Sequence, residues 1–244
     1  MSNLPKILHQ IWLGPKQRPT DMDSWREKHE ALGWKYKLWT EEDLAAKVAH
    51  VDTCIAKPQG GPTGSYKPVG CLCPRTRNIE LRHWPLFEAF HDVYHAQADI
   101  LRYEILQQFG GIYIDADTTC VQPLDDRFLT VEEGVWASAE NTQGLLANGF
   151  MGARAQHPLL SAILDDLGKI DVAAIASEAR AELYGAAWVL TGPCCLSEVV
   201  KATQIPIRVW PEHYFVPEHH DGTKYEGDGP VFGRHWWGTT FRRY

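Results

Sequence analysis

Between residues 99 and 117 the chain passes from an apolar helical stripe through two glycines into a short apolar run and then two aspartates, an order that leaves little freedom. Ile100, Leu101, Ile105, Leu106 and Phe109 recur at helical spacing, so one helix face is apolar, and Gly110-Gly111 ends it. Ile112-Tyr113-Ile114 is short and apolar at every position, as a strand buried on both faces is. That strand stops at Asp115-Ala116-Asp117. A helix feeding directly into a buried strand is a unit of an α/β fold, and the carboxyl ends of such strands are where open α/β sheets bind ligands.

The flanking sequence extends the same alternation. Residues 7 to 13, Ile-Leu-His-Gln-Ile-Trp-Leu, read as a first strand stopped by Gly14-Pro15. Asp21 or Asp23 can cap a helix that carries Trp25 and Leu32 and ends at Gly33, and Trp34, Tyr36 and Leu38 then alternate as a second strand. Thr40 and Asp43 resemble a capping box opening a helix to about Ala49. The Pro- and Gly-rich stretch 51–78 reads as a long surface loop, and Pro85 opens a helix with Leu86, Phe87, Phe90, Val93 and Tyr94 on one side. Downstream, strands are expected over Val135–Ala139 and Phe150–Ala153, and helices over Pro158–Gly168, from Ala173 to Tyr184, and after Gly192-Pro193. The expectation is one α/β domain over residues 1–244, with a mixed, mostly parallel sheet flanked by helices.

Composition narrows the function classes. With 24 basic and 31 acidic residues the net charge is −7, and no run of Lys or Arg forms a track for a phosphate backbone, so nucleic acid is not an expected partner. No uncharged stretch approaches the ~20 apolar residues of a membrane-crossing helix, and the N-terminus shows Lys6 but no apolar leader, so a cytoplasmic protein is expected, peripheral membrane contact aside. The six cysteines then read as reduced thiols; Cys54, Cys71 and Cys73 lack the spacing and the fourth ligand of a zinc site. Of the ten tryptophans, Trp25, Trp39 and Trp84 sit at amphipathic positions and read as core, which leaves Trp12, Trp236 and Trp237 as candidate ligand contacts.

Asp115 and Asp117 lie two apart on a strand and share a side, where a cation between them would relieve their repulsion. Hard carboxylate oxygens suit Mn2+ or Mg2+. The plainer alternative is a turn in which both aspartates cap backbone amides. One helix upstream, Asp99 and Arg102 stand at i and i+3 on one face, either as an ordinary ion pair or as a paired hydrogen-bonding group for sugar hydroxyls.

Taken together, Ala98-Asp99-Ile100-Leu101-Arg102-Tyr103, Gly110-Gly111-Ile112-Tyr113, Asp115-Ala116-Asp117 and Pro123-Leu124-Asp125 resemble the sugar-binding region of glycosyltransferase family 32, which includes yeast initiating mannosyltransferases and is similar here to the clostridial glucosylating toxins. Residues 5–14, Tyr36-Lys37-Leu38-Trp39 and Thr191-Gly192-Pro193 are similar to further parts of those enzymes. The resemblance implies a GT-A fold, a nucleotide-sugar donor such as a UDP- or GDP-hexose, a divalent cation, and transfer to a hydroxyl acceptor with retention of configuration. By that resemblance Trp12 would stack on the base, Asp99 and Arg102 would bind the donor sugar, and Tyr113 would line its pocket. Asp115 would contact the ribose or a metal-bound water, and Asp117 would ligate the metal. His235-Trp236-Trp237 resembles the family's terminal His-x-Trp, which makes His235 a further metal or diphosphate contact and Trp237 a donor contact. Asn148-Gly149 is similar to a family segment that returns beneath the donor, and reads equally as a plain turn.

Two other functions fit parts of the pattern. Asp115-x-Asp117-x-Thr119 after an apolar strand matches the first motif of haloacid-dehalogenase-like phosphatases, whose first aspartate is a nucleophile. Against it, more than a hundred residues precede the motif and Pro123 interrupts the helix that should follow. A catalytically silent nucleotide-sugar-binding module is the other. Catalysis is expected to rest on Asp99, Arg102 and Asp117, and no further carboxylate stands out as a covalent nucleophile, so front-face attack is the expected route.

Overall fold

The computed structural model describes residues 3–44, 79 and 81–238. The expected loop 51–78 with Cys54, Cys71 and Cys73 and the end of the helix after Thr40 lie outside the described residues. Six strands form one sheet: β1 (Ile7–Ile11), β2 (Lys35–Trp39), β3 (Gly111–Ile114), β5 (Val135–Ala139), β6 (Leu146–Ala153) and β7 (Arg208–Trp210), in the order β2-β1-β3-β6-β5-β7. β1 pairs in parallel with β2 and β3, and β5 with β7, whereas β6 runs antiparallel to both β3 and β5. The sheet is therefore mixed and mostly parallel, as expected. The reversed strand has a local cause, since β5 and β6 are joined by a short hairpin connection, which only antiparallel neighbours allow.

Helices α1 (Asp23–Glu30), α2 (Trp84–Ala89), α3 (Tyr94–Phe109), α4 (Pro158–Leu167), α5 (Val172–Ser177), α6 (Arg180–Leu190) and α7 (Pro193–Thr203) complete the fold. The single helix expected from Ala173 to Tyr184 is two helices, and the second continues to Leu190. Residues 180–203 match a membrane span in length and mean hydropathy (1.3), but Thr191-Gly192 breaks them into two helices, each too short to cross a ~30 Å hydrocarbon core. A second sheet, absent from the sequence reading, pairs β4 (Thr118–Cys120) antiparallel with β8 (Gly233–His235).

Each face of the main sheet buries its own core. One is aliphatic and packs α3, α4 and α7 through residues such as Ile100, Leu106, Met151, Ile163 and Leu196. The other is aromatic and includes Trp25, Phe128, Trp136, Phe150, Phe215 and Phe232, with Phe128 and Phe232 centroids 4.7 Å apart and Phe150 and Phe215 4.8 Å apart. Of the tryptophans read as core, Trp25 and Trp39 are buried and Trp84 is partly buried against the aliphatic core; Trp34 and Trp136 are buried as well.

The junction between α3 and β3 positions the site. Gly110 and Gly111 have φ of +62° and +99°, and a Cβ at Gly111 would lie 2.6 Å from the Ile7 carbonyl oxygen, so only glycine fits. Beneath them neutral His9 donates from Nε2 to the Gly110 carbonyl at 3.0 Å and accepts the Trp39 indole N–H at Nδ1, 3.2 Å away. The chain thus turns from the helix that carries Asp99 and Arg102 directly into the strand that delivers Asp115.

Candidate active site

A cavity of about 620 Å³ opens at the carboxyl ends of β1 and β3. All the site residues expected from the sequence line it: Trp12 beyond β1, Asp99 and Arg102 on α3, Tyr113 on β3, Asp115 and Asp117 after it, and His235 and Trp237 from the far end of the chain.

Asp99 and Arg102 are buried charges, 6% and 4% exposed, which persist in a folded chain only when paired. Arg102 Nη2 lies 2.9 Å from Asp99 Oδ1 and 3.1 Å from Asp115 Oδ1, so one guanidinium nitrogen ties the helix to the aspartate loop. Asn148 Nδ2 donates to Asp99 Oδ1 at 2.8 Å and the Thr191 hydroxyl to Asp99 Oδ2 at 2.9 Å. Arg102 also sits over the Tyr113 ring, 4.5 Å from its centroid, and Tyr113 donates its hydroxyl to Asp115 Oδ1 at 2.8 Å. This is more than an ordinary surface i,i+3 pair, because Arg102 Nη1 is left buried with no hydrogen-bond partner among the described residues. A buried unpaired guanidinium N–H costs stability, and a ligand oxygen in the cavity would satisfy it.

Asp115 and Asp117 are not both backbone caps, because the Asp115 carboxylate meets the side chains of Arg102, Tyr113 and His235. The Asp115 amide donates to the Gly149 carbonyl at 2.9 Å, and Asn148-Gly149 lies within β6 rather than in a turn. The pairing of β4 with β8 sets Thr118 opposite His235, and this brings His235 Nε2 to 3.6 Å from Asp115 Oδ2 and 3.4 Å from Asp117 Oδ1. Asp117 is held from the same segment: its carbonyl accepts the Trp236 amide at 2.9 Å and its Oδ2 accepts the Gly238 amide at 2.8 Å. Burial alone would raise the Asp115 carboxyl, but Arg102, His235 and Tyr113 override it and hold it well below the ordinary carboxylate range. Burial would lower the His235 imidazole, and Asp117 and Asp115 raise it instead. One ligand atom from each of Asp115, Asp117 and His235 lies within 4.8 Å of the others. Two hard carboxylate oxygens and an imidazole nitrogen are a donor set that fits Mn2+ or Mg2+.

Trp12 anchors its indole N–H on the Lys16 carbonyl at 3.0 Å, and Trp237 anchors its own on the Glu218 carbonyl at 3.1 Å. Trp236 instead donates its indole N–H to the Thr119 hydroxyl and is not part of the cavity lining. Several cavity residues escaped the sequence reading. Asn148, which lines the cavity, and Thr191, fully buried behind it, were marked only through family segments, although both bind Asp99 directly. Glu140, just after β5, and Trp188, on α6, carried no signal at all, because nothing local distinguishes them from an exposed acid and a core tryptophan.

Comparison with known proteins agrees with this geometry. Residues 15–135 match the family described as "Glycosyltransferase sugar-binding region containing DXD motif". Two inositol phosphoceramide mannosyltransferases of Schizosaccharomyces pombe, numbers 2 and 1, are 26% and 25% identical over 68% and 70% of this chain, and over 39% and 45% of their own lengths. The chain thus spans less than half the length of these curated relatives. Among solved structures, PaToxG glycosyltransferase superposes with a TM-score of 0.54 at 17% identity, covering 83% of this chain and 70% of that one, which supports the GT-A fold. The aspartates at 115 and 117 follow β3 within the matched region and are succeeded by a strand, where the phosphatase pattern demands a helix. Motif, fold and relatives converge: over residues 15–135 the chain is similar to the glycosyltransferases whose sugar-binding region contains the DXD motif.

Proposed function

We propose that the protein moves a hexose from a UDP- or GDP-sugar to a hydroxyl acceptor, with retention at the anomeric carbon and with Mn2+ or Mg2+ held by Asp115, Asp117 and His235. The observation that carries this reading is the single cavity in which an Asp-Asp-His triangle stands beside the buried Asp99–Arg102 pair, with Arg102 Nη1 unpartnered. The mannosyltransferase names of the relatives support a hexose donor.

In this reading Trp12 offers its ring to the base. Asp99, fixed by Asn148 and Thr191, accepts a hydrogen bond from a sugar hydroxyl, and Arg102 Nη1 donates to a donor oxygen. Tyr113, locked to Asp115, walls the sugar side, and Trp237 closes the cavity over the donor. The cation, when bound, supplies charge neutralisation for the departing diphosphate, which is the largest contribution expected in an oxocarbenium-like transition state. The C1–O bond to the diphosphate breaks, the C1–O bond to the acceptor forms on the same face, and the acceptor proton passes to the leaving diphosphate oxygen. Burial pushes Glu140 up to about 7, so near neutral pH its carboxyl can either donate or accept a hydrogen bond in the cavity.

The test is a panel of nucleotide sugars with Mn2+, read as free UDP or GDP. Turnover is expected with a hexose donor, to be abolished by a chelator, and to fall at least about a thousandfold in Asp117→Asn with the fold retained by circular dichroism. Full activity in Asp117→Asn would refute the assignment, and phosphate release from a simple phosphoester without nucleotide release would favour the phosphatase reading.

A further inference from the structure

We propose that the cavity contains a second carbohydrate subsite, in which the Trp188 ring and the Glu140 carboxyl receive the acceptor as a sugar ring. This rests on the transferase reading above and names its acceptor class. Trp188 lies on α6 three residues before Thr191, whose hydroxyl holds Asp99 at 2.9 Å, so this wall of the cavity is tied to the end where the donor sugar would sit. A tryptophan of this size belongs in a core on physical grounds, yet Trp188 is 48% exposed and packs on no other ring among the described residues. One turn earlier, Tyr184 continues the aromatic face and packs on His95, with ring centroids 4.4 Å apart; His95 is itself one turn before Asp99.

Glu140 supplies the polar half. It is 7% exposed, lines the same cavity, and its carboxyl makes no hydrogen bond among the described residues. Glu140 and Trp188 line the same cavity as Pro193, the first residue of α7. A carboxyl that opens onto the cavity without a protein partner is completed there by water or by a ligand hydroxyl. At about 7 its acidity lets it either donate to or accept from a hydroxyl near neutral pH. An aromatic face for C–H groups and a carboxyl for hydroxyls in one cavity are what a sugar ring presents in reverse. A lipid chain would need an unbroken apolar wall, and Glu140, His95 and the Arg180–Asp92 pair interrupt this one.

The experiment uses the full chain with Mn2+, the nucleotide sugar it turns over best, and a panel of methyl glycosides as acceptors, with glycoside product and free nucleotide measured separately. Trp188→Ala is expected to raise the glycoside KM about tenfold and to shift the partition from transfer towards water by a similar factor, and Trp188→Tyr to recover most of both. Glu140→Gln is expected to raise the same KM while kcat falls less. Val189→Ser, an equally exposed neighbour outside the cavity lining, should match the wild type. Glycoside KM and partition within about twofold of the wild type in Trp188→Ala, Trp188→Tyr and Glu140→Gln would overturn the subsite. Wild-type transfer to a protein or lipid hydroxyl but to no glycoside would overturn the sugar class. No nucleotide release from any donor would instead bring down the transferase reading itself, and the subsite with it.

Discussion

At position 149 any side chain beyond hydrogen collides with the site, since a Cβ there would lie 2.2 Å from Asp115 Oδ2. The neighbouring Asn148 points its amide at Asp99, so this dipeptide supports the sugar-binding pair with one residue and makes room for the aspartate with the other. Gly149→Ala is therefore expected to push Asp115 out of register and to cut donor turnover about a hundredfold, since sub-ångström placement decides reactivity. Its cost in stability should stay near ~1–3 kcal/mol, the range for overpacking a buried site. Steady-state nucleotide release alongside urea unfolding checks both, and undiminished turnover would show that Asp115 need not stand where the structure puts it.

Among elements, β4 is only three residues long, yet it ties several others to the aspartates. Its first residue, Thr118, accepts the Trp25 indole N–H at 2.8 Å and donates its own hydroxyl to the Asp115 carbonyl at 2.6 Å, while the strand pairs with β8. The same carbonyl accepts Gln10 Nε2 at 3.2 Å, so β1, α1 and β4 all fix the turn that carries the aspartates. Thr118→Val keeps the shape and removes both hydroxyl roles, leaving the buried Trp25 N–H unsatisfied. We expect a loss of about 1–3 kcal/mol in denaturant unfolding. A larger fractional loss is expected in metal-dependent turnover, because His235 reaches Asp117 only through the β4–β8 pairing. A variant with wild-type stability would mean that the indole finds another partner.

For the whole molecule, buried neutral histidines tie stability to pH. Burial, the largest cause, lowers His9 to about 4 despite its hydrogen bond to Gly110, and burial lowers His29 likewise. In the unfolded chain these groups take up a proton near 6.5, so between 6.5 and 4 the unfolded state binds more protons and stability falls with falling pH. The penalty from His9 is absent well above pH 6.5 and complete below about 4, where it approaches about 3 kcal/mol. Unfolding free energies measured from pH 7.5 to 4 should show this slope, and His9→Gln, which cannot take up the proton, should flatten part of it; an unchanged slope would place the proton uptake elsewhere. The elements that the sequence identified are those whose signal is local. The apolar stripe from Ile100 to Phe109, the two glycines and the apolar run before Asp115 need only neighbours within a few residues, and the i,i+3 spacing of Asp99 and Arg102 follows from helix geometry. The split between α5 and α6, the reversed β6 and the β4–β8 sheet were not legible, because each depends on what packs against it. Family likeness marked His235, yet only the pairing of strands more than a hundred residues apart carries it to Asp117. Glu140 and Trp188 reached the cavity the same way. Local periodicity determines which segments are helix or strand and which residues share a face. Which buried charges meet, and which aromatic is left facing a ligand, is decided by long-range packing, whose partners no short window of sequence contains.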